Sequence, residues 1–248
     1  MKKRPPIFYY RKLHRYLGLI IGIQFIFWTI GGIFFAWSNI DQIHGDWNRK
    51  DIKQITKYQD WVSPSSVFEK ITEHKVDSIA SFKSISFLGK PYYQIKYFTE
   101  HNIKTVLANA QTGEVREPLS ENEAIQLAIN SFTPQSEVKN VKILTNGMVH
   151  KHHEYRGRPL PAYAITFEHR SGTTVYVSTE LGQVMTFRNS NWRIFDFLWM
   201  MHTMDYNGRD HFGNILLKAF SFLSLFTILS GFILYYSSWR MLRKNKRS

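Results

Sequence analysis

His14, His44, His202 and His211 are the residues whose chemistry and placement stand out. A neutral imidazole offers one lone pair to a metal or haem iron while its other nitrogen donates a hydrogen bond. In HRYLGLIIG (14–22), Gly18 and Gly22 follow His14 at four-residue steps, close to one helical face. They leave a flat trough below the imidazole that can admit the edge of a macrocycle; the same pair also reads as a helix-packing face. His44 stands in IHGDW (43–47). His202 and His211 flank the turn of WMMHTMDYNGRDHFGN (199–214), where Asn207-Gly208 is a turn signal and Asp210 is expected to cap the following helix. Haem b, held without covalent attachment, takes two imidazoles from opposite sides, and these histidines are candidate ligands whose pairing the spacing leaves open. The alternative is ordinary boundary histidines bonded to backbone or headgroups. HKHH (150–153) adds His150, His152 and His153, weak metal candidates in what reads as a solvated loop.

Two apolar runs must position these residues. Leu17 to Trp37 has no charge, and at 1.5 Å per residue it crosses a hydrocarbon core of about 30 Å. The second run is Ala219 to Tyr236, extended by Ile215 to Lys218. The net charge of +13 is confined to the ends. Residues 1–40 and 212–248 each hold six Lys/Arg and no acid, while the middle holds 20 basic and 19 acidic residues. That distribution excludes a nucleic-acid footprint and sets topology. The expected layout is a cytoplasmic N-terminus (1–16), a transmembrane helix (17–37), a periplasmic domain (38–211), a second transmembrane helix (212–237) and a cytoplasmic tail (238–248). The first run reads as an uncleaved anchor because FFAWSNID lacks a clean cleavage site. The bilayer is the expected partner and the bacterial inner membrane the expected location. With no cysteine, disulfides and thiolate sites are excluded.

The middle repeats itself. PYYQIKYFTEHNIKTVLANAQTGEV (91–115) and PAYAITFEHRSGTTVYVSTELGQV (161–184) each predict a hairpin with a further turn. SPSSVFEKI (63–71) and SENEAIQLAINSF (120–132) predict the preceding helices, the latter with Ser120 and Glu123 as a capping box. The repeats fall at about 62–117 and 119–188, followed by an interfacial helix over about 192–206. The fold class is membrane-anchored α+β: two transmembrane helices flank two helix-plus-antiparallel-sheet repeats.

Three stretches carry a family resemblance: HRYLGLIIG (14–22), RPLPAYAITFEHRSGTTVYVSTELGQVMTF (158–187) and DFLWMMHTMDYNGRDHFGNILL (196–217). The chain resembles PepSY-associated transmembrane proteins, and its halves resemble PepSY domains. Some larger relatives are haem-containing inner-membrane reductases of iron–siderophore complexes, with three or four membrane helices where this chain has two. The resemblance implies haem-based electron transfer toward ferric iron or an iron–siderophore complex, as a reductase or its electron-transfer subunit. It equally implies a non-enzymatic tethered module that binds a periplasmic peptide or protein. His14 and the outer histidines cannot share one haem, because residues 14 to 37 alone rise about 34 Å. His14 then needs His14 of a second copy or another subunit, so a homodimer or larger membrane complex is expected. No dinucleotide fingerprint, P-loop or zinc-protease helix is present.

Overall fold

The computed structural model describes residues 5–50, 60–72, 76–100 and 102–245. The chain divides into two compact units, Met1–Asn39 with Ile194–Ser248, and Ile40–Arg193.

The first unit is built on α1 (Pro6–Trp37) and α6 (Ile215–Asn245). Pro6 opens α1, where a missing N–H costs nothing. Both helices expose most of their large apolar side chains, Leu19, Ile23, Ile30, Phe222, Phe226 and Phe232 among them. Helices of this length and hydropathy are stable with such surfaces only in lipid. Their shielded residues recur at three- and four-residue steps: His14, Leu17, Ile21, Gln24, Trp28, Gly31 and Phe35 on α1, and Leu217, Phe220, Ser224, Thr227, Gly231, Leu234 and Ser238 on α6. This is the seam of two helices packed along their length, and on α6 it is lined by small and hydroxyl residues that permit close approach. The C-terminal part of α5 (Ser190–Thr203), from Ile194 on, also belongs to this unit.

The second unit opens with the short helix α2 (Ile40–His44). Two similar halves follow. The first has α3 (Pro64–Thr72) and the antiparallel sheet β1 (Ser78–Phe87), β2 (Lys90–Phe98), β3 (Ile103–Asn109), β4 (Val115–Arg116). The second has α4 (Glu121–Ser131) and β5 (Val138–Leu144), β6 (Ala162–Phe167), β7 (Thr174–Ser178), β8 (Gln183–Arg188), again in sequence order. Both hairpins form over the repeated segments. Each sheet also has a first strand, β1 or β5, that the repeat left out. The capping box of α4 forms as well: the Ser120 side chain accepts from Glu123 N, and Glu123 accepts from Ser120 N at 2.9 Å.

Alternation along the strands fixes what each face meets. Tyr93, Ile95 and Tyr97 of β2 pack on Val67 and Ile71 of α3. Ile165, Val175 and Val177 meet Ala124 and Ala128 of α4 and its C-cap Phe132. The opposite face of the second sheet, through Ala162 and Tyr176, is covered by Tyr155 and its neighbours Val149 and Leu160. HKHH (150–153), expected in a solvated loop, is exposed at His150, Lys151 and His152, but the segment 145–161 that carries it is partly a lid on the sheet, with Tyr155 fully buried. The halves share one core: Phe87 and Leu107 of the first sheet join Leu119 and the second sheet's apolar residues.

Candidate functional site

His14 sits on the α1–α6 seam. Its Nδ1 lies 2.7 Å from Ser230 Oγ, and Ser230 Oγ donates to Thr227 O at 2.8 Å. A hydroxyl has one proton. With that proton directed to the carbonyl, Oγ accepts from His14 Nδ1–H, and the lone pair of the ring stays on Nε2. This is the arrangement of a metal-ligating histidine, whose far nitrogen donates to a fixed partner. Gly231 makes the packing possible, since a Cβ there would stand 3.3 Å from His14 Cε1. Gly18 and Gly22 behave differently: a Cβ at either meets nothing within 4 Å. They do not pack against another part of this chain, so the trough beside His14 is open. The donor set fits a haem ligand, with Nε2 lying 3.8 Å from where a Gly231 Cβ would stand. Neither Ser230 nor Gly231 was singled out from the sequence. Their only signal there was a Ser-Gly pair in a run that also carries Ser221, Ser224 and Thr227.

His202 lies at the end of α5 against α1. Gln24 Nε2 donates to Met201 O at 2.8 Å, and Trp28 Nε1 donates to His202 O at 2.9 Å. These bonds satisfy terminal carbonyls of α5 that no helical N–H can reach. Phe35 packs on Phe195 and Trp199 higher up the same face. The segment read as an interfacial helix thus runs back along α1 and ends against its middle. The His202 ring stands edge-on to Phe35, with centroids 5.9 Å apart. Its Nδ1 is buried without a hydrogen-bond partner. A bare far nitrogen departs from the usual pattern of a metal ligand, so His202 fits ligation less well than His14 does.

A built turn joins His202 to α6. Asp205 accepts from four backbone N–H groups, of Asn207, Gly208, Asp210 and His211, the last at 2.9 Å. The His211 N–H foremost, then the other three, holds its carboxyl below the ordinary value against the opposing effect of burial. Arg209, at positive φ, pairs with buried Asp196. Asn214 Nδ2 donates to both Thr203 O and His211 O at 2.9 Å, so those two carbonyls lie within twice that distance of each other. Asn214 Oδ1 then accepts from Leu217 N at 2.8 Å. The cap of α6 is therefore Asn214. Asp210, expected in that role, lies five residues before Ile215, outside capping range, and its N–H serves Asp205. The turn brings the backbones around His202 and His211 together, which spacing alone did not decide. His211 itself is exposed, with Nε2 3.0 Å from where a Gly213 Cβ would stand.

The other histidines are in the second unit. His44 ends α2 and is exposed. His150 Nδ1 accepts from His152 N at 3.2 Å, and His153 Nδ1 accepts from Tyr155 N at 3.0 Å. In both rings the Nδ1 lone pair is committed, so a neutral ring carries its proton on Nε2 and offers a metal nothing. Burial foremost pushes the His153 pKa down. Among the described residues no group of three His, Cys, Asp or Glu is placed to hold a metal ion.

The segment around these histidines is held by residues that the motifs did not flag. The Glu154 carboxylate accepts from Arg193 Nε at 2.7 Å, from Arg193 Nη2 at 3.0 Å and from Tyr176 OH. Burial raises the Glu154 pKa, but the Arg193 and Tyr176 hydrogen bonds outweigh it and hold the carboxyl below its ordinary value. Burial and the Glu154 charge push Tyr176 up.

A family model described as the PepSY-associated TM region matches residues 11–248. No curated protein matches the chain. Among solved structures, a Clostridium difficile 630 protein assigned as a lipoprotein is 14% identical, covering 54% of this chain and 97% of its own, at a TM-score of 0.23.

Proposed function

The chain belongs to the PepSY-associated transmembrane family, and from that premise we propose that it is a haem-binding electron-transfer protein of the bacterial inner membrane. Both termini are cytoplasmic in this reading, and the tandem sheets are periplasmic, where electrons pass to ferric iron or an iron–siderophore complex. The observation that carries it is His14. Ser230 Oγ holds Nδ1 at 2.7 Å, Nε2 would keep its lone pair with the Ser230 proton on Thr227 O, and a Cβ at Gly18 or Gly22 would meet nothing within 4 Å. Bound there, haem b would supply one-electron transfer between ferric and ferrous iron. Ser230 would orient the ring, and the open glycine face would receive the edge of the macrocycle. The second imidazole would come from His14 of another copy. Pairing of two chains at α1 would also provide a four-helix housing.

The outer histidines, His202, His211 and His44, are the candidates for a second level. Fourteen residues of α1 separate His14 from Trp28, which binds His202 O. That is a rise of about 21 Å, against about 34 Å if the outer level stood at Trp37. The shorter separation favours transfer between levels.

The test is the absorption spectrum of the detergent-purified chain, oxidised and dithionite-reduced, with a pyridine haemochrome assay. A b-type spectrum that His14→Ala abolishes while membrane insertion is kept is expected. A flat visible spectrum from protein made with ample haem sinks the cytochrome reading. The second reading, a tethered PepSY module that binds a periplasmic peptide or protein, would then stand. It is favoured by the buried Nδ1 of His202, which has no hydrogen-bond partner and departs from the usual pattern of a ligand.

A further inference from the structure

The two halves of the sheet domain differ in charge. Residues 60–133 hold nine acidic and seven basic residues, and residues 134–193 hold four acidic and eight basic. Part of the basic excess gathers where the lid 145–161 meets the end of β8. The Arg188 guanidinium lies 3.9 Å above the Trp192 ring and Arg156 stands 5.9 Å from the same ring. Arg188 Nε donates to Glu154 O at 3.0 Å and Nη1 to Phe187 O at 3.1 Å. Arg158 Nη1 donates to Met185 O at 3.1 Å.

These contacts brace the guanidiniums without neutralising them. Every acceptor named is a backbone carbonyl. The nearby carboxylate, Glu154, is engaged by Arg193 and Tyr176. Arg158 Nε and the Nη2 groups of Arg158 and Arg188 make no hydrogen bond among the described residues and are not sealed from solvent. Burial, then the charge of Arg158, lowers the Arg188 pKa to about 10. Arg158 and Arg188 hold the carbonyls of Met185 and Phe187, two residues apart on β8, and two cations on one short stretch of strand favour an anion. The ligand is not an aromatic stacker, because Trp192 is 8% exposed and Arg188 covers its ring. What remains on offer is N–H forks, which match tetrahedral oxyanions.

We propose that Arg158 and Arg188, braced on Trp192 and on the carbonyls of β8, bind a phosphate group, carried by an anionic phospholipid headgroup or free in solution. A headgroup is consistent with chain order. Trp192 stands two residues before Ile194, where the unit holding the apolar helices resumes, and Trp with Arg is a pairing suited to a membrane interface. The site does not involve the histidines, so it stands or falls separately from the haem reading.

The experiment uses the full-length chain and two probes. Inorganic phosphate is titrated calorimetrically into the chain in zwitterionic detergent. Retention of phosphatidylglycerol against phosphatidylcholine is read by native mass spectrometry after reconstitution in mixed lipid. Saturable phosphate binding assigns the free anion; preferential retention of phosphatidylglycerol without it assigns the headgroup. In either case Arg158→Gln and Arg188→Lys weaken binding about tenfold, the loss of one charge-assisted hydrogen bond, while Lys104→Gln on the first sheet leaves it unchanged. Neither probe engaging the wild-type chain overturns the proposal, as does an equal loss in Lys104→Gln, which would mean diffuse charge only.

Discussion

β3 of the first half fully buries only Leu107 and Ala108, whereas every residue of its counterpart β7 in the second half is buried. The two strands belong to sheets of the same order, each preceded by a helix. The difference is cover. The second sheet has α4 on one face and the lid 145–161 on the other, so its central strand is apolar or hydroxyl-bearing throughout, TVYVS. The first sheet has α3 on one face; its opposite face is closed where Phe87 and Leu107, with Ile85, Leu88 and Tyr92 beside them, enter the shared core. A duplicated topology therefore carries two kinds of surface. The closed half is the one in which charged groups such as Glu154, Arg158 and Arg188 are held in fixed positions.

The sharpest way to break this comparison is at the contact between the halves. Gly182, at φ +61°, would place a Cβ 2.5 Å from Leu107 Cδ1 and 3.4 Å from the Phe87 ring. Gly182→Ala should cost about 3 kcal/mol through overpacking and a left-handed backbone, measured by urea unfolding. A neutral result would mean that the halves do not share a core.

Next in size is the lid. Glu154→Ala strands Arg193 and Tyr176, but the Arg193 side chain is 40% exposed and solvent compensates it in part. A loss of about 2 kcal/mol is expected. The pH dependence follows from the depressed carboxyl. Its stabilisation is fully present above the ordinary value of 4.5 and is lost as pH falls through the lower folded value. Thermal melts of the wild type should therefore drop in acid below that pH, and those of Glu154→Ala should drop less. Parallel acid limbs would refute the role of Glu154 as the lid's anchor.

The smallest effects compare the two helix starts. Ser120→Ala removes a complete capping box and should cost about 1 kcal/mol. At the start of α3, Ser63 Oγ accepts from Ser65 N at 3.4 Å, as long as the bond from Glu123 N to Ser120 Oγ, but Ser66, three residues on, has no carboxylate to complete a box. Ser63→Ala should cost less than half as much. Equal losses would show that the helix starts are matched after all.

Much of the second unit was legible. The hairpins at 91–115 and 161–184 alternate cleanly, and Ser120 with Glu123 lies three residues apart, within reach of a local rule. β1 and β5 were less so. β1 has one end in solvent and the other in the core, so its alternation is weak. The lid was misleading because its polar residues, HKHH, outnumber the anchors Tyr155 and Glu154 that decide its position. In the candidate site the histidines were visible as residue types and their neighbours were not.

By itself the sequence determined the two apolar spans, the paired hairpins and the cap of α4. Each depends on periodicity or on residues within about one turn of one another, which neighbours along the chain express directly. Tertiary structure alone decided the rest: Ser230 against His14, Gln24 and Trp28 at the end of α5, Asn214 in place of Asp210, Glu154 between Arg193 and Tyr176. Most of these contacts join residues far apart in the chain. A buried polar atom takes whichever partner packing brings to it, and local pattern holds no record of that choice.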